Sequence, residues 1–335
     1  MTGPHPAIAA TRVAVRHALA QLGQSRSAHG SGLVLVACSG GADSLALAAA
    51  VAFEAPRAGL RAGAVIVDHD LQAGSLSVAE RAADQCRAMG LDPVEIVRVH
   101  VEGSGCGPEA GARDARYRAF EDVVRRTLAV AVMLGHTRED QAEQVLLGLA
   151  RGSGARSLSG MPTRRGPYVR PLLRVPRAIT VAACEAAGLT AWVDPHNSDP
   201  AYRRVRARGL LPVLERELGP GTVAALARSA DLIREDADAL DDLAAQALSG
   251  LGEIGSRGVE AAALMRLPRA IRTRVWRLLA FEAGCSPGAL VSTHIDSLDS
   301  LVTRWRGQGP IDLPCHVQGS RTGGRVLVAA IRQVE

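Results

Sequence analysis

The chain has 335 residues, 47% hydrophobic but only 3% aromatic, with 39 basic and 34 acidic side chains and a net charge of +5. That length implies two domains, and the hydrophobic share supports a sizeable core of Ala, Val and Leu. No apolar run approaches bilayer length, no basic-then-apolar leader opens the chain, and the six cysteines form no Cys-x-x-Cys pair, which argues against a membrane, secreted or zinc-ribbon protein and points to a reducing cytoplasm.

Residues 6–22 read as a helix, and a Gly/Ser/His-rich break at 23–32 follows. The run Leu33-Val34-Leu35-Val36-Ala37-Cys38 reads as a strand, and Leu45 onward reads as a helix. Between them stands Ser39-Gly40-Gly41-Ala42-Asp43-Ser44. Glycines let the backbone approach an anion and adopt φ above zero, and a helix start favours phosphate. Ser39 and Ser44 add hydroxyl donors. Asp43 would repel phosphate unless a divalent cation stands between them, so the segment predicts a nucleotide-phosphate site with Mg²⁺ on Asp43. It is neither a Walker loop nor a dinucleotide fingerprint.

Further apolar strands at 64–67, 94–99 and 130–134 alternate with helices at about 43–54, 75–89 and 108–128. This predicts an α/β, Rossmann-like parallel sheet covered on both faces, with ligands at the carboxyl ends of its strands. Val67 and Asp68-His69-Asp70-Leu71 end the second strand, where backbone could flank an adenine or ribose. Gly135-His136 ends the fourth and opens a helix on which His136, Asp140, Glu143 and Gln144 are expected to share one face. A histidine and two carboxylates there could hold metal, accept a proton or hold an amine.

Beyond residue 151 the pattern turns irregular, and arginine, the sole basic residue type besides histidine, clusters. Seven arginines and no acid lie from Arg151 to Arg177. Arg203, Arg204, Arg206 and Arg208 follow, then Arg266, Arg269, Arg272, Arg274 and Arg277. Such clusters predict contact with a phosphate backbone. The last five cannot all face one way: positions 266, 269 and 273 fall near one stripe and 270, 274 and 277 near another. A helix is expected at about 177–187, a long connecting helix from Thr222 to Leu248, helical structure over 259–306 and a β hairpin over 309–332 turning at Thr322-Gly323-Gly324.

Ser39 to Ser44 resembles the pyrophosphate loop of ATP pyrophosphatases, which cut ATP into AMP and pyrophosphate. An ordered set is more specific. It comprises Ser39–Ser44, Asp68–Leu71, Glu109–Tyr117, His136 with Asp140–Glu143, Arg151-Gly152-Ser153-Gly154 and Arg170-Pro171-Leu172-Leu173. Over about 33–215 the chain is similar to the tRNA(Ile)-lysidine synthetase family. The resemblance implies an adenine nucleotide alpha hydrolase-like fold with a smaller, mostly helical C-terminal domain. It also implies that ATP activates the wobble cytidine of an isoleucine tRNA with a CAU anticodon and that free L-lysine displaces AMP.

For that chemistry the candidate residues are these. Asp43, His136, Asp140 and Arg113 would be catalytic. Ser39, Gly40, Gly41, Ala42, Asp43, Ser44, Val67 and Gly135 would bind ATP, and Asp140 and Glu143 would hold lysine. Arg151, Arg204, Arg206, Arg208, Arg266 and Arg274 would touch tRNA. Arg113 and Arg116 read equally well as salt-bridged surface groups. Residues 1–215 would form the catalytic domain, 216–250 the connection and 251–335 the tRNA-binding domain; a second copy of the chain is a candidate partner. Thr137 and Gln144 depart from the family's usual His and Thr, and the arginine-rich stretch from Arg203 is a residue short. Three rivals remain. A thiolation-type tRNA enzyme needs cysteines arranged at the site. A small-molecule amide synthetase leaves the arginine clusters unexplained. A non-catalytic nucleotide sensor needs neither Asp43 nor the acidic face.

Overall fold

In the computed structural model, which describes residues 3–24, 32–68, 74–99, 108–152, 154–195, 199–252 and 258–331, helix α1 (Pro6–Gln24) precedes strand β1 (Leu33–Ala37). Then come α2 (Ala42–Glu54), β2 (Arg61–Asp68), α3 (Ser75–Ala88), β3 (Val94–Arg98), α4 (Pro108–Thr127), β4 (Ala131–Leu134) and α5 (Arg138–Leu149). The short α6 (Ala155–Leu158), β5 (Arg164–Arg165) and β6 (Tyr168–Val169) lead to α7 (Arg177–Ala186), α8 (Arg203–Leu218) and α9 (Thr222–Gly250). The sheet order is β3-β2-β1-β4-β6-β5, parallel except for β5 against β6. The predicted parallel α/β sheet is therefore present.

Alternate residues of β1 enter opposite cores, and both sets are apolar, as a strand covered on both faces requires. Val34 and Val36 pack with α1, α2 and α3 residues such as Val15, Leu47 and Ala83. Leu33 and Leu35 pack with Phe120 and Val123 of α4 and with Tyr168. Each such Leu, Val or Phe contributes about 1.5–3 kcal/mol by burial. Strand β1 lies between β2 and β4, so chain direction across the sheet reverses at β1 and β4. The crevice above that reversal is where an open α/β sheet binds ligand.

Helix α5 begins later than expected. Thr137 is its N-cap, and Asp140 closes a capping box by accepting from the Thr137 N–H (2.8 Å) and hydroxyl (3.0 Å). His136 therefore precedes the helix and does not share a helical face with Asp140 and Glu143.

The chain divides into two compact units, residues 1–233 and 234–335, at a point within α9. The second unit contains β7 (Val259–Glu260), α10 (Ala261–Arg266), α11 (Arg269–Glu282), α12 (Ser292–Thr303), β8 (Ile311–Leu313), β9 (Val317–Thr322) and β10 (Arg325–Ala330). Its sheet is antiparallel, in the order β7-β10-β9-β8. The hairpin expected around Gly323-Gly324 is present but is half of a four-stranded sheet. The helical stretch is three helices, interrupted at Leu267-Pro268 and at 283–291. Trp276, Leu264, Leu298 and Leu301 form the core. Within it Arg272 pairs with Asp299 at 2.7 and 3.2 Å, and the Trp276 indole donates to the same carboxylate at 3.1 Å.

Candidate active site at the β1–β4 crevice

The glycine loop follows β1 directly. Cys38 N–H still donates to Val65 C=O at 3.0 Å, continuing the sheet, and the chain then turns at Gly40 with φ 80°. Only glycine adopts that angle without strain. Gly41 is the N-cap of α2. Ser44 fastens the turn: its hydroxyl accepts from the Ser39 N–H (3.1 Å) and donates to Gly41 C=O (2.9 Å). The exposed Ser39 hydroxyl lies 3.3 Å from that of Ser44. The first N–H groups of α2 are left without helical partners, an arrangement that suits an anion. Gly135, at the end of β4, lets the first turn of α2 approach. A Cβ there would lie 3.2 Å from the Asp43 carbonyl and from Ser44 Cα.

Asp43, Asp140 and Glu143 converge on arginines. The Asp43 carboxylate accepts from Arg177 Nε at 3.2 Å and from the Thr180 hydroxyl. Burial raises its carboxyl pKa, and Thr180 and Arg177 offset this in part. Asp140 accepts from Arg177 Nη2 at 2.9 Å and lies 3.5 Å from Arg208 Nη2. Burial opposes its charge, but Arg177, Arg204, His136 and the Thr137 N–H outweigh that and hold it at about 2. Glu143 has a wholly buried side chain. It accepts from Arg208 Nε at 2.6 Å and Arg204 Nε at 3.2 Å, with Arg177 Nη1 3.8 Å away. Buried carboxylates persist as anions only when paired in this way.

His136 stands at the same edge. Burial, helped by Arg170, Arg204 and Arg113, pushes its imidazole down to about 3 against the pull of Asp140. Its Nδ1 is sealed from solvent without a hydrogen-bond partner. Arg170 is buried; it donates to Pro162 C=O at 3.0 Å and to the Tyr117 hydroxyl at 3.4 Å. Arg113 is exposed, its guanidinium 4.9 Å from the centre of the Tyr117 ring.

The structure brings together Ser39, Gly40, Gly41, Ala42, Asp43, Ser44, Gly135, His136, Asp140 and Glu143 at one edge. Val67 is half-buried at the end of β2 and packs toward α4. His69, Asp70, Leu71 and Ser153 lie outside the described residues, as do the side chains of Glu109 and Ala110. Arg204 and Arg208 turn inward onto Glu143. Arg206 is exposed and donates to Pro200 C=O and Ala201 C=O. Arg151 and Arg266 are exposed, and Arg274 pairs with Asp241 at 2.7 Å. Sequence reasoning missed Arg177, Thr180 and Arg170 as individual site residues. The Pro176-Arg177 helix start was visible, but nothing local linked it to Asp43. It also missed a contact behind the loop: the buried Cys38 Sγ lies 3.7 Å from the Ser44 hydroxyl, with Cys86 buried in the same core cluster.

Among the described residues, no three His, Cys, Asp or Glu side chains form a metal cage, and no helix is long and apolar enough to cross a membrane. Asp43 is a partly exposed carboxylate beside the glycine loop, held by Arg177 and Thr180, and a single carboxylate there fits Mg²⁺ bound jointly with phosphate oxygens, the usual mode for that ion.

Comparison with known proteins agrees with this geometry. Residues 12–214 match the model of the PP-loop domain. The chain is 55% identical to the tRNA(Ile)-lysidine synthase of Thermobifida fusca strain YX, over 98% of this chain and 100% of that protein. It is 52% identical to the tRNA(Ile)-lysidine synthase of Streptomyces coelicolor, over 97% and 99%. In fold it is similar to the U34-tRNA thiolase NcsA from Methanococcus maripaludis, with a TM-score of 0.53 and 19% identity over 68% of this chain and 80% of that one. With a glycine loop, an acid pair and inward-facing arginines at the edge where that fold binds its ligand, and with relatives matching from end to end, the chain belongs to the tRNA(Ile)-lysidine synthase family and carries its PP-loop domain.

Proposed function

We propose that the chain joins free L-lysine to the 2-position of the wobble cytidine of an isoleucine tRNA, in the cytoplasm, with a CAU anticodon as the target. In the first step the cytidine 2-oxygen attacks the α-phosphorus of ATP and pyrophosphate leaves. In the second the neutral ε-amine of lysine attacks C2, AMP departs with the oxygen, and the extra proton on the nitrogen of the new C–N bond passes to water. The observation that carries this reading is the placement of a buried acid pair, Asp140 and Glu143, beside a phosphate loop at one sheet edge. An ATP-cleaving site alone has no need of the pair; a site that must also hold an alkylammonium does.

The loop from Ser39 to Ser44 and the start of α2 would hold the triphosphate. Mg²⁺, when bound at Asp43, would neutralise phosphate charge and favour pyrophosphate departure. Asp140, held at about 2, stays anionic at any working pH, which suits holding an ammonium better than taking up a proton. His136, held at about 3, is neutral and offers hydrogen bonding rather than charge. Arg113, exposed at the rim, suits a phosphate of the leaving group or the tRNA. Residues 1–215 would carry the chemistry, 216–250 the connection and 251–335 part of the tRNA surface, with Arg151, Arg206 and Arg266 exposed for phosphate contact.

The test is a reconstitution with an unmodified CAU-anticodon tRNA transcript, ATP, Mg²⁺ and radiolabelled lysine. Pyrophosphate release should require the tRNA, and label should enter the tRNA only with all components present. Pyrophosphate release without label in the tRNA, or release driven by a small acceptor alone, would overturn the reading.

A further inference from the structure

We propose that Arg177 is a positioning residue that holds the two halves of the site in register, one guanidinium setting both the phosphate-loop carboxylate and the acid pair. This rests on the lysidine-forming reading and extends it to a residue which that reading does not otherwise use.

Each guanidinium nitrogen serves a different acid. Nε meets Asp43 at 3.2 Å, Nη2 meets Asp140 at 2.9 Å and Nη1 faces Glu143 at 3.8 Å. Asp43 stands on α2, and the other two acids stand on α5. Arg204 and Arg208 contact α5 acids, but among the described residues no other cation contacts Asp43 and the pair together. The backbone of Arg177 is fixed as well: its N–H donates to Glu139 Oε2 at 2.7 Å, so α7 starts against the first turn of α5. One helical turn later, the single hydroxyl proton of Thr180 is shared between Asp43 and Arg177 C=O. The first turn of α7 is thus a rigid bracket between α2 and α5.

The chemistry needs such a bracket. On that reading adenylation uses Asp43 and transfer uses the acid pair; the first makes its bond at the 2-oxygen and the second at C2, adjacent atoms of one base. Reaction rates depend steeply on sub-ångström placement of reacting groups. A planar fork with several donors in fixed directions sets three carboxylates at once, which a lysine ammonium at the end of a flexible stem does not. If Arg177 served only to neutralise charge, lysine would replace it.

The experiment uses the full chain and three proteins: the parent, Arg177→Lys and Thr180→Val. Mg²⁺·ATP affinity is measured by titration calorimetry, lysine KM by label transfer to tRNA at saturating ATP, and folding by thermal melting. Arg177→Lys should weaken Mg²⁺·ATP binding and raise lysine KM, each by about tenfold or more, while keeping a cooperative melt. Thr180→Val, which loses the Asp43 contact and no contact to the pair, should weaken Mg²⁺·ATP binding and leave lysine KM within about twofold. Recovery of both constants by Arg177→Lys, or a shift in one alone, overturns the proposal. If Arg177→Lys does not fold, the cycle of Thr180→Val with Asp140→Asn decides through Mg²⁺·ATP affinity. Coupling through the shared guanidinium makes their effects non-additive by about threefold or more, and additive effects overturn it. A parent that makes no lysidine overturns the functional reading itself; an active parent with either adverse result overturns only the role of Arg177.

Discussion

Acidification should destabilise the first unit through His136, and His136→Asn should remove that part of the loss. In the folded chain the imidazole is kept neutral and held at about 3, because its ring is desolvated and Arg170, Arg204 and Arg113 stand nearby. In the unfolded chain it takes a proton near its ordinary value of about 6.5. Between those values the unfolded state binds more protons, so stability falls as pH falls, by about 1.4 kcal/mol per pH unit. Moving from about pH 7 to about pH 4.5 crosses about two units below the unfolded value, a loss of about 3 kcal/mol, against a typical total of about 5–15 kcal/mol. Asp140 acts in a separate window. Its depressed carboxyl contributes stability that is complete above the ordinary carboxylate range and is lost only as pH falls toward about 2. Native-state hydrogen exchange, followed on peptides covering β1 and β4 at several pH values, reads the opening free energy of this unit alone. The parent should lose more of it on acidification than His136→Asn does. Equal pH slopes in the two proteins would refute the claim that this histidine is held neutral by the fold.

Gly135→Ala should cost about 1–3 kcal/mol and weaken Mg²⁺·ATP binding, because the new methyl meets backbone of Asp43 and Ser44 at 3.2 Å and backbone cannot rotate aside; unchanged melting and affinity would refute this. Asp140→Asn should slow lysine transfer more than adenylation, so that adenylated tRNA accumulates in a quenched time course. Equal losses in both steps would assign Asp140 to the nucleotide instead. In the second unit, Arg266→Glu should weaken tRNA binding and flatten its salt dependence, measured by filter binding across a salt series. Arg272→Ala should instead lower stability by about 3–5 kcal/mol, since Arg272 is buried against Asp299, and calorimetric melting separates the two cases.

The parts of the site that were legible in the sequence were local ones. A five-residue apolar strand, two glycines and a helix start occupy consecutive positions, and so do the end of β4 and the capped start of α5. Their meeting followed from the rule that ligands bind where a parallel sheet reverses direction. Arg177 was not legible because its partners lie 134 and 37 residues away, and an ion pair between distant segments leaves no periodic trace. The inward turn of Arg204 and Arg208 was hidden for the same reason: a run of arginines at a helix start looks the same whether it faces water or Glu143. His136 was placed on the helix because its spacing from Asp140 is one turn, and only the Thr137–Asp140 capping box reveals that the helix starts after it. In the second unit, β7 and β8 have two and three residues, too few to show alternation, so the sheet read as a hairpin beside helices. Arg272 sat within a row of arginines that reads as surface, yet helical geometry turns it onto Asp299.

The order in which the cluster's members are synthesised has a consequence for the newborn chain. Asp140 and Glu143 emerge from the ribosome well before Arg177, Arg204 and Arg208. Until those arginines arrive, burying Glu143 would leave an anion without its cations, a penalty of about 3–5 kcal/mol or more. The four-stranded part of the sheet can pair, but α5 cannot seat its acids in the final position while translation stops short of residue 208. A chain that terminates before residue 208 therefore lacks the seated acid pair, whatever the state of its glycine loop.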